Sequence, residues 1–397
     1  MRVASLQSTQ SAMTGIQARQ AEQDRLQNQL STGLRVNAPS DDPVAAAQAE
    51  LARSRMSRVA QDQRAAQLST SLLVSADNAL AQGVDLMQDM RDTLVAAANG
   101  SYSPAERGIL ADALRASRER LLAVANARDS SGGFVFSGQG SADAPLSGSS
   151  SPNYIPAPGE QRLGEQGRYA GNVDGRACFV ALPQGNGVFL AASAAGNTGS
   201  GTISPGHVSN ASQLTGHDYQ ITITGVPGAL QYTVVDATAG TTLSSGTSYD
   251  DGAAIAIDGQ TVVLDGTPSP GDRFDLKPAG QQSVFQTVDD AIALLENTAI
   301  PASLYAERLQ GIQTSLDGAL DQMVFMRTKV GEELNTTDNA LAANAQYDLQ
   351  LQTRRSDLRD LDYAKAVSEM QVNQTALQAA LKSYASFARL SLFDTLS

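Results

Sequence analysis

Tryptophan is absent from this 397-residue chain, cysteine occurs once, histidine twice, and aromatic side chains make up only 5%. A single cysteine excludes an internal disulfide, and Cys178, set between Ala177 and Phe179, reads as a small buried hydrophobe rather than a reactive thiol. Zinc requires His or Cys at fixed spacing, and His207, His217 and Cys178 form no such pattern. Positive charge is scarce as well. With 28 Lys and Arg against 41 Asp and Glu, the net charge of −13 describes a surface that repels nucleic acid and anionic membrane. No 18 apolar residues run together, so no membrane insertion is expected. Ser5, Gln7, Ser8, Thr9 and Gln10 interrupt any apolar core of a cleavable secretory signal, and these facts alone suggest a cytoplasmic protein.

Catalytic chemistry is equally thin. No phosphate-binding or dinucleotide fingerprint stands between a strand and a helix. Asp250-Asp251 and Asp41-Asp42 lack the alternating oxygen ligands of a calcium loop and read as turns or caps. His217 beside Asp218, in a Ser- and Gly-rich stretch, reads as a solvated turn before it reads as a base and its orienter. The expectation is no enzyme, no cofactor and no metal.

What is present is helix, in two blocks. Most of the 34 glycines fall between Ala142 and Gly280, and the flanks are nearly free of Gly and Pro. From Val44 to Asn99 only Gly83 interrupts a run of strong helix formers. Within it Ala66, Ser69, Leu73, Ala76, Leu80, Gly83, Met87, Met90, Leu94 and Ala97 alternate by three and four, a coiled-coil seam. Asn99-Gly100 ends that helix. Ser103, Pro104 and Glu106 form a capping box for an antiparallel partner with the stripe Leu110, Leu114, Ser117, Leu121, Val124. A turn at Ser130–Gly133 then leads to a short apolar strand, Phe134–Gly138, and Ala142 to Glu165 reads as irregular.

Period-two patterning dominates the middle: Tyr219–Thr224, Leu230–Val235, and Ala254–Ile257 joined to Thr261–Leu264 through Asp258-Gly259-Gln260. Helix resumes at Thr287, with Val288, Ile292 and Leu295 on one face, and again from Ala302. The second seam is Leu309, Ile312, Leu316, Ala319, Met323, Met326, Val330. The expected fold class is α+β: an antiparallel helical bundle built from both halves of the chain, with an inserted, mainly-β domain. The segments are 1–43 and 357–397 as terminal helices, 44–140 and 281–356 as two halves of a rod, and 141–280 as the insert.

The two ends are unusual helices. Leu6, Thr9, Met13, Ile16, Gln20, Gln23, Gln27, Leu30 and Leu34 form one stripe; Tyr363, Val367, Met370, Gln374, Leu377, Leu381, Tyr384, Ala388 and Ser391 form the other. Residues 1–18 carry only Arg2 as a charge, and residues 370–397 only Lys382, Arg389 and Asp394. A solvated helix normally wears Lys and Glu on its outer face, whereas Gln and Ser suit dense packing, because their hydrogen bonds are satisfied by neighbours. Alone, helices this poor in apolar residues are marginal. Such ends are made to meet other chains.

Between the first two helices stands Leu30-Ser31-Thr32-Gly33-Leu34-Arg35-Val36-Asn37-Ala38-Pro39-Ser40-Asp41-Asp42-Pro43. Gly33 and Pro39 stop one helix; Ser40, Asp41 and Asp42 offer caps to the next, which Pro43 opens. This segment resembles the signature of the flagellin superfamily. Pro39-Ser40-Asp41-Asp42-Pro43, Phe134–Gly138 with Ala144-Pro145, Gly271–Pro278 and the ending Leu390–Leu396 are similar to the hook-filament junction members rather than to filament subunits. Residues 146–270 resemble nothing nameable.

The resemblance implies a structural role in a ring of identical copies, a homo-oligomer. Hook-associated protein 1 would lie on the hook side and flagellin on the filament side. It also implies extracellular placement, reached by flagellar type III export, with an export chaperone holding Leu377, Leu381 and Tyr384 beforehand. Its assembly residues would be Leu6, Met13, Ile16, Leu30, Leu34, Val367, Met370, Leu377, Leu381, Tyr384, Leu392 and Phe393. Two other roles share these features: a filament subunit, and a secreted adhesin or translocator with amphipathic ends. Few Lys or Arg on those helices argue against membrane docking.

Overall fold

The computed structural model describes residues 2–129, 132–138, 144–148, 153–155, 162–163 and 167–396, with the side chains of 2–6, 8, 9, 153 and 387–396 left aside. Seven helices are present among them: α1 (Arg2–Thr32), α2 (Pro43–Ala97), α3 (Pro104–Ala125), α4 (Gly175–Phe179), α5 (Val284–Glu296), α6 (Ala302–Arg359) and α7 (Tyr363–Leu396). Contacts divide the chain into two units, Met1–Arg64 with Ala340–Ser397, and Ala65–Asn339. Helices α2 and α6 contribute to both.

In the larger unit all ten seam positions of α2 from Ala66 to Ala97 are buried, as are Leu309, Leu316, Ala319, Met323, Met326 and Val330 of α6. The helices run antiparallel, with Arg327 of α6 on Asp77 of α2 at 2.8 Å and Arg91 of α2 on Asp317 of α6 at 2.6 Å. At Gly83 a Cβ would lie 2.7 Å from Met323 Sδ and 3.8 Å from Leu121 Cδ1, so α2, α3 and α6 approach most closely where α2 has no side chain. The single glycine of that helix is a packing feature.

Helix α3 starts on its capping box: Ser103 Oγ accepts from Glu106 N at 3.3 Å, and the Glu106 carboxylate accepts from Ser103 N at 2.7 Å. Its inward row is Ala111, Leu114, Arg118, Leu121 and Ala125, rotated slightly from the expected stripe; Leu110, Ser117 and Val124 are only half-buried. The rotation brings in Arg118. Its guanidinium meets the Asp289 carboxylate of α5 at 2.6 and 2.8 Å and lies 5.7 Å from the centre of the Phe285 ring. Helix α5 begins at Val284, three residues before the pattern first showed, because Ser283 caps it by accepting from Gln286 N and the pair Val284-Phe285 is wholly buried.

The described residues between 134 and 183 lie largely on the helical core rather than in the two larger β-sheets. Phe134–Gly138 is not a strand: Phe134 and Ser137 make isolated bridges to Arg128 and Asp174, while Val135 and Phe136 sink into the helical core. Two-residue pairs follow, β1 (Leu146–Ser147) with β2 (Asn153–Tyr154) and β3 (Arg162–Leu163) with β4 (Tyr169–Ala170). The α4 turn inserts Cys178, fully buried, and Phe179, whose ring meets Phe136 edge-on at 5.1 Å and Phe285 at 6.4 Å. Desolvation pushes the Cys178 thiol far above its ordinary pKa, which agrees with an inert side chain.

The compact β part runs from β6 (Phe189–Ser193) to β14 (Arg273–Pro278), framed by the short pair β5 (Leu182–Pro183) and β15 (Gln281–Gln282). Between lie β7 (Thr202–Ile203), β8 (His207–Val208), β9 (Tyr219–Val226), β10 (Ala229–Asp236), β11 (Thr241–Ser248), β12 (Ala254–Ile257) and β13 (Gln260–Asp265). One antiparallel sheet has the order β11-β10-β9-β14-β6. The other is β12-β13-β7, with β8 also on β13. Alternating residues Tyr219, Ile221 and Ile223 of β9 share a core with Ile255, Ile257, Val262 and Leu264. In the hairpin Ile257 pairs with Gln260, so the turn is the two residues Asp258-Gly259, both at positive φ, and Gln260 already belongs to the strand.

Glu307 of α6 fastens this β part to the helices. Its buried carboxylate accepts from Ser193 N of β6 at 2.8 Å, from the Ser193 hydroxyl, and from Ile203 N of β7 at 3.0 Å, so one side chain holds an end of each sheet. Breaking the Arg118 pair tests the helical core. Asp289→Ala should destabilise the protein by roughly 2–4 kcal/mol in chemical denaturation, since it strands a buried guanidinium, while Arg118→Met with Asp289→Leu should be close to neutral. Equal losses in the two variants would contradict this account.

Candidate assembly site

The smaller unit holds both terminal helices and the corner that the Leu-Ser-Thr-Gly segment builds. Helix α1 ends when Gly33 turns to φ 74° and its N–H bonds to Gln29 O at 2.8 Å. Any Cβ there would sit 2.8 Å from the Tyr363 hydroxyl. The chain then lies along the α6–α7 junction. Leu34 bridges Asp360, Arg35 N donates to Arg359 O at 2.7 Å, and Leu361 N donates to Gly33 O at 2.9 Å.

Side chains lock the same place. Arg35 donates to Leu358 O at 2.6 Å and reaches the Asp42 carboxylate at 3.4 Å; Arg359 Nε donates to Val36 O at 3.3 Å; Gln29, buried, donates to Arg35 O at 2.6 Å. Asp41 accepts from Asn37 N and Ala38 N at 3.0 and 2.9 Å, and Asp42 accepts from Ala45 N at 3.0 Å in the first turn of α2. The aspartate pair thus caps and turns. The bond from Ala38 N, then that from Asn37 N, hold Asp41 below the ordinary carboxyl pKa; Ala45 N and then Arg35 do so for Asp42.

Beyond the corner α1 and α7 pack antiparallel, with Arg19 against Asn373. The seam differs from the expected stripes by one row on each helix. On α7 the row Met370, Leu377, Tyr384 is half-buried as expected, but its companion is Ala366, Asn373, Ala380. The expected companions Val367 and Leu381 are each 45% exposed, and Gln374 is exposed. On α1 Ile16, Gln23 and Leu30 are half-buried and Leu26 is buried, whereas Met13, Gln20 and Gln27 face out; Leu34, past the end of the helix, is half-buried at the corner. The side chains of Leu6, Thr9, Ala388, Ser391, Leu392 and Phe393 lie outside the described residues. Apolar spacing could not separate the two rows, because each is as regular as the other. The row that faces α1 includes the polar contact of Asn373 with Arg19.

The smaller unit is rich in exposed apolar side chains: besides Met13, Val367 and Leu381 there are Val44, Leu51, Tyr347, Leu349, Tyr363 and Val372. In the larger unit, His217 pairs with Asp236, at 2.7 Å, and not with its neighbour Asp218. Asp236 also accepts from Ala239 N, which with His217 lowers its pKa, so this is a braced turn. No helix is long and apolar enough to cross a membrane among the described residues.

The chain matches the bacterial flagellin N-terminal helical region over residues 3–141 and the bacterial flagellin C-terminal helical region over residues 314–393, together more than half its length. It belongs to the flagellin family. Within that family it is 25% identical to flagellar hook-associated protein 3 of Escherichia coli K12 over 99% of both chains, and 23% identical to that of Salmonella typhimurium, again over 99% of both. Among solved structures it is similar to hook-associated protein 3 of Legionella pneumophila, with 26% identity and a TM-score of 0.72 over 78% of this chain and 98% of that one. It is also similar to FlgL of Xanthomonas campestris, with 27% identity and a TM-score of 0.69 over 78% and 99%.

Acid should loosen the corner. Both aspartates have folded-state pKa values below their ordinary 3.8, so their contribution is complete well above 3.8 and is lost as the pH falls below it and through the lower folded-state values. Stability followed by circular dichroism from about pH 5 to about pH 3 should drop less in an Asp41→Asn, Asp42→Asn variant than in the parent. Parallel curves would sink the assignment.

Proposed function

We propose that this chain is the structural component that joins flagellar hook to filament, with copies in a ring that presents terminal helices on which flagellin polymerises. The observation that carries the reading is an α1–α7 pair in which α7 bears no charge from Met370 to Leu381, and in which Leu381, within that stretch, and Val367, just before it, stay exposed beside a row of Ala and Asn. Exposed apolar side chains on helical stretches poor in charge suit neighbours with the same character. The full-length likeness to hook-associated protein 3 supports the same role.

On this reading residues 1–43 and 357–397 form the inner tube, 44–140 with 281–356 the surrounding rod, and the insert faces outward. Hook-associated protein 1 lies below and flagellin above. The chain leaves the cell through the flagellar type III apparatus and works outside, and a cytosolic chaperone covers Leu377, Leu381 and Tyr384 before export. These side chains fit that contact: Leu377 and Tyr384 are half-buried and Leu381 is open.

Leu381→Asp places a carboxylate on the open row, where solvent tolerates it in the monomer but a packed tube does not. Its melting temperature should match the parent within about 1 °C, a change of under about 1 kcal/mol for a chain of this length, while motility is lost on complementing a deletion strain. Normal swimming would count against the reading. In the deletion strain itself, hooks without filaments and flagellin shed into the medium are expected. Purified protein that polymerises alone into long filaments would point to a filament subunit, and liposome binding by the intact chain would point to a translocator.

A further inference from the structure

Asparagine followed by glycine occurs twice in the chain, at Asn99-Gly100 and at Asn186-Gly187. Such a pair carries chemistry of its own. The glycine nitrogen can attack the asparagine side-chain carbon, because both groups belong to one residue pair and glycine has no Cβ to obstruct the ring that forms. Whether the reaction runs in a folded protein depends on how the two groups are held, and here the two sites differ. At Asn186 the nucleophile is engaged, since the Gly187 N–H donates to Gln184 O at 3.0 Å. The half-buried side chain is engaged at both ends: Nδ2 donates to Pro205 O and Gly206 O, each at 3.2 Å, and Oδ1 accepts from Val188 N at 3.1 Å and Phe189 N at 2.9 Å. Closing the ring there breaks several of these bonds at once.

Asn99 is the opposite case. It is exposed in the turn between α2 and α3, and among the described residues no hydrogen bond occupies the Gly100 N–H. The side chain folds over its own turn: Oδ1 accepts from Ser101 N at 3.2 Å and from the Ser101 hydroxyl at 2.8 Å. Attack on the side-chain carbon puts negative charge on that same oxygen. Two donors already directed at it stabilise the tetrahedral oxyanion, as preorganised donors do in acyl transfer.

We propose that Asn99 is a site of spontaneous deamidation, chosen over Asn186 by the fold and activated by the Ser101 hydroxyl. The Gly100 nitrogen, giving its proton to hydroxide, bonds to Asn99 Cγ; the Cγ–Nδ2 bond breaks, and Nδ2 leaves as ammonia with a proton from water. Water then opens the cyclic imide at either carbonyl, which leaves aspartate, or isoaspartate with the main chain routed through Cβ. The net change is one water consumed and one ammonia released, with no oxidant, metal or enzyme. Each event adds a negative charge to a chain that already carries −13, in a cavity that Asn99 and Gly100 line together with Arg107 and Tyr305. The site stands whether or not the assembly role proposed above is correct.

Peptide mass spectrometry tests it on the full-length protein, incubated in mildly alkaline buffer with and without urea and then digested. Exchange of NH for O is followed at each Asn-Gly peptide, with isoaspartate separated from aspartate by its elution. In native buffer Asn99 should convert about tenfold or more faster than Asn186, the ratio expected when one site must break hydrogen bonds that the other lacks. In urea the two rates should converge, because the local sequence is then all that distinguishes them. Ser101→Ala should slow Asn99 several-fold in native buffer and leave its rate in urea unchanged. An Asn99 that does not outpace Asn186 in native buffer overturns the proposal. So does a Ser101→Ala chain that converts at the parent rate, or a ratio that persists undiminished in urea.

Discussion

The backbone hydrogen bonds between residues 33–36 and 358–361 are the constraint on which the smaller unit depends. They join segments more than 300 residues apart, and the long-range closure they represent is unfavourable until several bonds form together. Gly33 makes the approach possible, Arg35 and Arg359 each donate to a carbonyl across it, and Asp42 ties Arg35 to the first turn of α2. Once that corner is set, α1 and α7 leave it as neighbours. Their pairing needs little apolar surface of its own, which explains how a seam of Leu26, Gln29, Ala366 and Asn373 suffices.

The larger unit uses more ordinary means. Long antiparallel helices bury continuous Leu, Met and Ala rows, and their ion pairs sit at the rim, where each contributes little and serves mainly alignment. Charge enters the interior where layers must be fastened: Arg118 with Asp289 between α3 and α5, and Glu307 between α6 and the two sheets. That carboxylate accepts backbone N–H groups from both sheets and the Ser193 hydroxyl, so the attachment rests mainly on main chain.

Long uncharged stretches on the terminal helices and a partly polar seam then belong to one design. Gln29 and Asn373 of the pair are hydrogen-bonded within the chain, whereas the buried Oε1 of Gln23 has no partner in it, and none of the three buries a charge. Meanwhile Met13, Val367 and Leu381 remain available. A pair that buried its best apolar residues would be firmer alone and would have less to offer a neighbour.

Much of this was written plainly in the residues. The seam from Ala66 to Ala97, the capping box at Ser103, the hairpin at Asp258-Gly259 and the corner at Gly33 follow from local rules of period, cap and turn, and the motif at Leu30–Pro43 carried the family. The described residues between 134 and 183 were not legible as cover for the helices, because Phe134–Gly138 and the one-turn α4 are defined by what they cover and have no period of their own. Nor were Arg118, Glu307 or Arg35 foreseeable as partners, since each bonds to groups more than 100 residues away or to backbone that has no sequence identity. On the terminal helices sequence determined that apolar rows exist at heptad spacing and that charge is missing from residues 3–18 and 370–381. Which row turns inward was decided only in three dimensions, because two rows one residue apart look alike in spacing, and the row that faces α1 is the one that includes the contact of Asn373 with Arg19.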